Sequence, residues 1–197
     1  MHSYSVDTPV RRQVYFAIAV AAFAIPRGIA WAAGLMVPGE AFAYPLTVGT
    51  TFAAIHLLFD RLIWKKFGFW HKIPELNGRW TAHGVSSYRD PETNEPVRFS
   101  MTYIIRQTFS RIEVFGETEK STSKSLMASL DTDHAVPIFR YGFENTPKNT
   151  ADDDLHRHPG MIELRIQSGT RMTGDYFSGK HRLRYGEITL TKSNDAD

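Results

Sequence analysis

Apolar residues crowd the first third of this chain, in two stretches at 14–37 and 41–59 that are split by the short segment Val37-Pro38-Gly39-Glu40. Each stretch must be buried in lipid or in a large core. At about 1.5 Å rise per residue, the first is long enough to cross roughly 30 Å of hydrocarbon. Pro26 and Arg27 interrupt it near the middle, and His56 lies late in the second. A central arginine costs about 2.5–3.5 kcal/mol on insertion scales, which a segment so rich in Ala, Ile, Phe and Val tolerates. Pro26 removes a helix hydrogen bond and favours a kink. Arg27 either snorkels and pairs locally or contributes to a contact between assembled helices, where Ala30, Ala33 and Gly34 permit close approach.

The flanks predict an orientation. Arg11 and Arg12 precede the first stretch; Arg61, Lys65, Lys66 and Lys72 follow the second; the turn between them carries only Glu40. Positive-inside bias therefore places both termini in the cytoplasm. Trp64, Phe67, Phe69 and Trp70 suit an interfacial aromatic belt. A cleaved signal peptide and a buried soluble helical hairpin are the competing readings. The absence of cysteine fits a cytosolic domain without disulfides.

From residue 75 onward the pattern changes to period 2, with turn signals every dozen or so residues. Strands are expected over 76–87, 97–108, 109–118, 121–130, 135–144, 156–167, 171–177 and 182–192. The fold class is therefore an α+β membrane protein: residues 1–74 form a two-helix transmembrane region, and residues 75–197 form an antiparallel β-barrel of about eight strands. Closure into a barrel removes exposed edges. Ile162, Leu164 and Ile166 share one face opposite Glu163 and Arg165, and Trp80 is assigned to core packing at the barrel bottom.

Charge divides with the domains. Residues 1–74 hold seven Lys and Arg against three Asp and Glu, for +4, whereas residues 75–197 hold sixteen against eighteen, for −2. A strand domain with no positive excess argues against binding long nucleic acid, although a few placed arginines still suffice for a small anion.

No Gly-x-Ser-x-Gly, Walker loop or cysteine nucleophile is present, so no enzymatic activity and no cofactor are expected. His156 and His158 share a strand face at a spacing compatible with a metal, but no third ligand is evident. Alternate residues Ser121, Ser123 and Ser125 would line one face with small donors, or simply meet solvent. Aromatic and guanidinium groups are the more useful signal, because bases stack on rings and arginine forks match phosphates. The candidate ligand-binding residues are Tyr103, Arg106, Arg140, Tyr141, His156, Arg157 and Tyr176. Alternation sets Tyr141 with Phe139 and Phe143 against Arg140, so the set does not all face one cavity.

The order of several short motifs carries a resemblance. Asn77-Gly78-Arg79-Trp80 opens the strand domain; Tyr141-Gly142-Phe143-Glu144-Asn145-Thr146-Pro147 follows in its middle. His156-Arg157-His158-Pro159-Gly160, Gly174-Asp175-Tyr176-Phe177 and Gly186-Glu187-Ile188-Thr189-Leu190 complete it. With the two apolar stretches, this layout resembles the two-transmembrane, β-strand-rich effectors of cyclic-oligonucleotide-based antiphage signalling (CBASS). Phe143 stands where that family pattern leads one to expect a second tyrosine.

The resemblance implies an effector in the bacterial inner membrane whose barrel binds a cyclic dinucleotide made by a partner nucleotidyltransferase. It further implies homo-oligomerisation on activation, disruption of the lipid bilayer and abortive infection. The competing functions are a membrane-tethered lipocalin-like small-molecule binder and a metal-dependent enzyme built on the histidine pair.

Overall fold

In the computed structural model the described residues are 1–32, 43–68, 72–149, 156–179 and 183–193. The expected turn at 37–40, the belt residues Phe69 and Trp70, and the acidic triplet at 152–154 lie outside them. The chain forms two compact units, Met1–Asp7 with Lys72–Asp197, and Thr8–His71.

The first unit is an eight-stranded closed barrel. Its strands are β3 (Gly78–Arg89), β4 (Pro96–Gln107), β5 (Arg111–Glu117), β6 (Ser121–Asp131), β7 (Ile138–Pro147), β8 (His158–Ser168), β9 (Arg171–Ser178) and β10 (Tyr185–Lys192). Each pairs antiparallel with its sequence neighbours, and β10 returns to β3 over seven register pairs, from Gly186↔Ser86 to Lys192↔Trp80. The period-2 reading is met because burial alternates along the strands toward the packed end: Tyr103, Ile105 and Gln107 on β4, and Ile162, Leu164 and Ile166 on β8. A meander with two- to ten-residue connections closes this way because each hairpin buries one face, and the last hairpin covers the first strand's edge.

One seam is incomplete. β5 and β6 pair only over Phe115↔Lys124, Gly116↔Ser123 and Glu117↔Thr122. Beyond that the strands part, and two short N-terminal strands fill the gap, which the sequence pattern did not predict. β1 (His2–Ser3) runs antiparallel to β5, and β2 (Ser5–Val6) runs parallel to β6. They pair backbone groups near 111–112 and 129–130 that would otherwise be open edges. Tyr4, between them, is 3% exposed, and its hydroxyl accepts from Gln107 Nε2 at 3.2 Å. The segment 1–7 therefore belongs to the barrel and not with the helices that follow it.

Asp7 anchors the end of this strap. Its carboxylate accepts the Thr132 amide at 3.0 Å and the Asp133 amide at 3.4 Å. Its burial alone would raise the Asp7 carboxyl, but the Thr132 and Asp133 amides outweigh that and hold it below the ordinary 3.8. A depressed acid stabilises the fold above its unfolded value and loses that contribution as pH falls through the folded value. The strap is therefore expected to be fully anchored above about pH 4 and to loosen below the depressed value. Asp7→Asn is expected to reproduce the loosening at neutral pH. Amide exchange at residues 129–133 measures both; unchanged protection in the variant would show the carboxylate to be dispensable.

The end of the barrel carrying Asp7 is packed solid. Trp80, Ile105, Phe109, Ile112, Leu130, Phe139, Leu164, Met172 and Leu190 are each essentially inaccessible to solvent. The Trp80 indole N–H donates to the Leu76 carbonyl at 2.9 Å. Gln107 ties the entry segment to this core: its side-chain carbonyl accepts the Leu76 amide at 2.8 Å, and Asn77 Oδ1 accepts the Gln107 amide at 2.6 Å.

The second unit is helical. α1 (Val10–Ala32) continues through Pro26 and is long and apolar enough to cross a membrane. α2 (Ala43–Leu58) is continued by one π turn (Phe59–Ile63) and one 3₁₀ turn (Trp64–Phe67). The helices pack antiparallel, with the Tyr15 and His56 rings 5.5 Å apart and His56 also stacked on Phe52 at 6.0 Å. α1 buries Val14, Ile18 and Ala22 but leaves Phe16, Phe23, Ile29 and Trp31 between 51% and 76% exposed. Water would penalise that face at about 25 cal/mol per Å². The Arg27 guanidinium carbon lies 6.0 Å from the Phe23 ring on the same helix.

Candidate ligand-binding site

The barrel end opposite Trp80 is hollow. A cavity of about 970 Å³ opens there, at the upper end of the roughly 300–1,000 Å³ common for small-molecule sites. Its walls come from the ends of β3, β4 and β6–β10 and from the β5–β6 turn.

Three kinds of side chain line it. Aromatic rings form the first: Tyr88, Phe99, Tyr103, Phe143 and Tyr176. Phe99 and Tyr176 meet edge to face with centroids 5.4 Å apart. Phe99 projects inward because Gly84 faces it; a Cβ at residue 84 would sit 2.6 Å from Phe99 Cε1 and 2.9 Å from Cε2. Gly160 makes the same room beneath Phe143.

Small polar groups form the second. Ser123 is opposite Asn145 in the β6–β7 register, and Asn145 is opposite His158 in the β7–β8 register. The three therefore stand side by side on the inner wall, each 4–7% exposed. His158 Nδ1 is 2.8 Å from the His156 carbonyl. A carbonyl only accepts, so Nδ1 carries the proton, and a neutral ring then presents Nε2 as an acceptor. Ser86, Ser121 and Ser178 complete this layer.

Cations form the third. Among the described residues, Arg98, Lys120 and Arg184 stand at the rim with one carboxylate, that of Glu119. The Arg184 guanidinium lies 3.8 Å from the centre of the Tyr88 ring, which fixes its plane. Among the described residues the rim thus carries more cations than carboxylates, although residues 75–197 as a whole are negative.

Beneath the cavity, burial pushes the Tyr103 phenol up to about 12 and the Tyr141 phenol well above its usual value. Both are fully protonated at neutral pH. Tyr103, which lines the cavity, therefore presents a neutral phenol there and not a phenolate that would repel an anion.

The sequence-derived candidates divide by strand parity. Tyr103 and Tyr176 line the cavity, and Tyr141 is buried inside the barrel with its ring 6.4 Å from that of Phe143. Arg106, Arg140, His156 and Arg157 lie outside the cavity. Arg106 is exposed on the outer wall. Arg140 donates to Glu163 at 2.6 Å, and Arg157 pairs with Glu144. His156 is exposed ahead of β8, whereas its neighbour His158 is the histidine that faces inward. Phe99, Asn145 and His158 also line the cavity but are not among the sequence-derived ligand-binding candidates. Their signal was available: each shares parity with Tyr141, Ile162 or Tyr103 on its own strand.

A closed barrel with one packed end and one ring-lined cavity at the other has the form of a small-ligand receptor. The chain belongs to the family described as "Cap15, cyclic dinucleotide receptor domain", whose model matches residues 71–192. It is also similar to CD-NTase-associated protein 15 of Yersinia aleksiciae, with 27% identity over 164 residues that cover 81% of this chain and 76% of that protein. The family match ends at the last residue of β10, so it takes in every strand that lines the cavity.

Proposed function

We propose that this barrel binds one cyclic dinucleotide in its cavity and that the bound state drives assembly of the helical unit in the bacterial inner membrane, disrupting the bilayer and killing the phage-infected cell. In this reading a partner nucleotidyltransferase makes the ligand, in keeping with the name of the Yersinia relative. The observation that carries it is the match between a cyclic dinucleotide's parts and the cavity's three layers. Two bases find the rings of Phe99, Phe143 and Tyr176. Base edges find Ser123, Asn145 and His158. Two phosphates find Arg98 and Arg184.

The membrane part of the proposal takes residues 14–37 and 41–59 as two spans. It places both termini in the cytoplasm, where the barrel meets a soluble signal. Support comes from the exposed apolar face of α1, from its packing against α2, and from the basic flanks at 11–12 and 61–72. Assembly follows thermodynamically if the ligand binds the associating conformation more tightly than the resting one.

Calorimetry on the full chain in detergent, across a panel of cyclic di-AMP, cyclic di-GMP, cyclic di-UMP and their mixed forms, tests the binding step. One member is expected to bind once per barrel. Arg184→Ala is expected to weaken it by about 10- to 100-fold, since a charged hydrogen bond contributes roughly 1.5–3 kcal/mol. No binding by any member would end the proposal. Release of a trapped dye from vesicles carrying the chain tests the second step, and release without dependence on ligand would count against the coupling.

A further inference from the structure

The outer wall of the barrel carries an apolar row that the cavity does not use. Met127 is opposite Gly142, Gly142 opposite Met161, Met161 opposite Phe177, and Phe177 opposite Tyr185. One line of outward positions therefore crosses five strands, about 19 Å along the wall at roughly 4.8 Å per strand. The four side chains are 39–67% exposed. Met127 lies over Gly142, its Cγ 3.1 Å from where a Cβ would stand, so the row has no break. Apolar residues scattered singly on a surface mean little, but a continuous exposed row marks an interaction face.

The next register line toward the packed end is acidic: Glu163 is opposite Asp175, and Asp175 is opposite Glu187. Arg140 neutralises Glu163. Asp175 and Glu187 are exposed, and neither makes an ion pair among the described residues. Arg165, one line further on, is exposed too. Like charges directly across a strand pair are destabilising, so an external cation would relieve this one.

The complementary surface is on the same molecule. β4 lies four strands from β8 in an eight-stranded closed ring, hence on the opposite wall. There Ile104 is opposite Phe115 on one side and Arg79 on the other, with Arg106 two residues along. Ile104 is 37% exposed, and Arg79 and Arg106 are exposed without an ion pair among the described residues.

We propose that these two walls form a head-to-tail interface between copies of this chain. The Met161–Phe177 row and the Asp175–Glu187 pair of one copy dock on Ile104, Phe115, Arg79 and Arg106 of the next. Because two different patches meet, each copy added leaves another patch open, and assembly continues into rings or filaments. The inference rests on ligand-linked assembly and says which surfaces carry it. It also supplies the link to the cavity. Tyr103, Ile162 and Tyr176 line the cavity, and their chain neighbours Ile104, Met161 and Phe177 form the interface on the other side of the same strands. Any shift of those strands around a ligand moves both faces together.

The test uses the full chain in detergent with the tightest-binding member of the cyclic dinucleotide panel, and reads particle mass. Wild type is expected to grow with ligand. The variant carrying D175R and E187R, and the variant carrying R79E and R106E, are each expected to need about 100-fold or more protein to assemble, since juxtaposed like charges cost several kcal/mol. At protein concentrations where wild type is also monomeric, each variant is expected to bind the ligand as wild type does, which shows that it is folded, since assembly and binding are reciprocally linked only where assembly occurs. Mixing the two variants is expected to restore growth, because every contact in an alternating chain is again opposite in charge. Assembly of either variant alone at the wild-type concentration would overturn the interface, as it would if the row sat on lipid; so would a mixture that stays monomeric. Wild type that binds ligand without growing would instead refute ligand-linked assembly itself.

Discussion

Full-length protein carrying both Phe99→Leu and Tyr176→Leu is expected to bind its cyclic dinucleotide at least about 30-fold more weakly than wild type, since stacking contributes roughly 1–3 kcal/mol per base. Both rings line the cavity, and their edge-to-face contact at 5.4 Å holds each in place for the other. Leucine keeps the wall apolar while removing the flat face, so the loss reports stacking and not dewetting. The two positions are in contact, so their effects are expected to be non-additive, and a double-mutant cycle in calorimetry measures the coupling. Phe139→Leu serves as the comparison. That ring is buried at the packed end and is absent from the cavity lining, so its loss is expected to lower stability and leave affinity within about twofold, on the order of the scatter for independent sites. Equal affinity in the double variant and wild type would remove the Phe99–Tyr176 pair from the binding site.

Trp80→Ala is expected to lower barrel stability by about 3–5 kcal/mol, the range for truncating a buried large aromatic. Trp80 is fully enclosed and carries the closing register pair Lys192↔Trp80, so the cavity left behind sits at the seam where β3 meets β10. Loss of the 2.9 Å bond to Leu76 adds a smaller penalty by leaving that carbonyl unsatisfied. Trp80→Phe keeps most of the volume and is expected to cost less than half as much. Trp31→Ala, at a site 76% exposed on α1, is expected to leave the barrel midpoint unchanged. Urea titration of the solubilised chain, followed by near-ultraviolet dichroism, separates the three. A Trp80→Ala midpoint equal to that of Trp31→Ala would show that the packed end is not what holds the barrel shut.

Much of the strand architecture was legible because burial on one face imposes period 2. The expected strands at 76–87, 121–130 and 171–177 differ by at most two residues at either end from Gly78–Arg89, Ser121–Asp131 and Arg171–Ser178. Trp80 was assigned to the barrel bottom and is there. The serines at 121, 123 and 125 do line one inner face. The N-terminal strap was not legible, since two-residue strands carry no periodicity; only the gap left by a three-pair β5–β6 seam creates a place for them.

The cavity shows the same division. Residue types pointed to rings and arginines, and the rings Tyr103 and Tyr176 are in it. The expected arginines are not, because Arg106, Arg140 and Arg157 have outward parity and two of them already pair with carboxylates. Arg98 and Arg184 serve the rim instead, from strand ends where parity no longer sorts inside from outside.

The sequence by itself determined where lipid-compatible chain stops and period-2 chain begins, because both signals are local and repeat every two to four residues. For regular stretches such as 162–166 it also indicated which side faces the barrel interior. Only the tertiary structure decided which end of that interior is filled and which is hollow. That outcome depends on side chains from eight strands meeting at one level. Tryptophan, leucine and phenylalanine meet at one end; glycine, serine and asparagine leave space among rings at the other. The feature that first divided this chain, its apolar opening, says nothing about that space, which belongs to the strands alone.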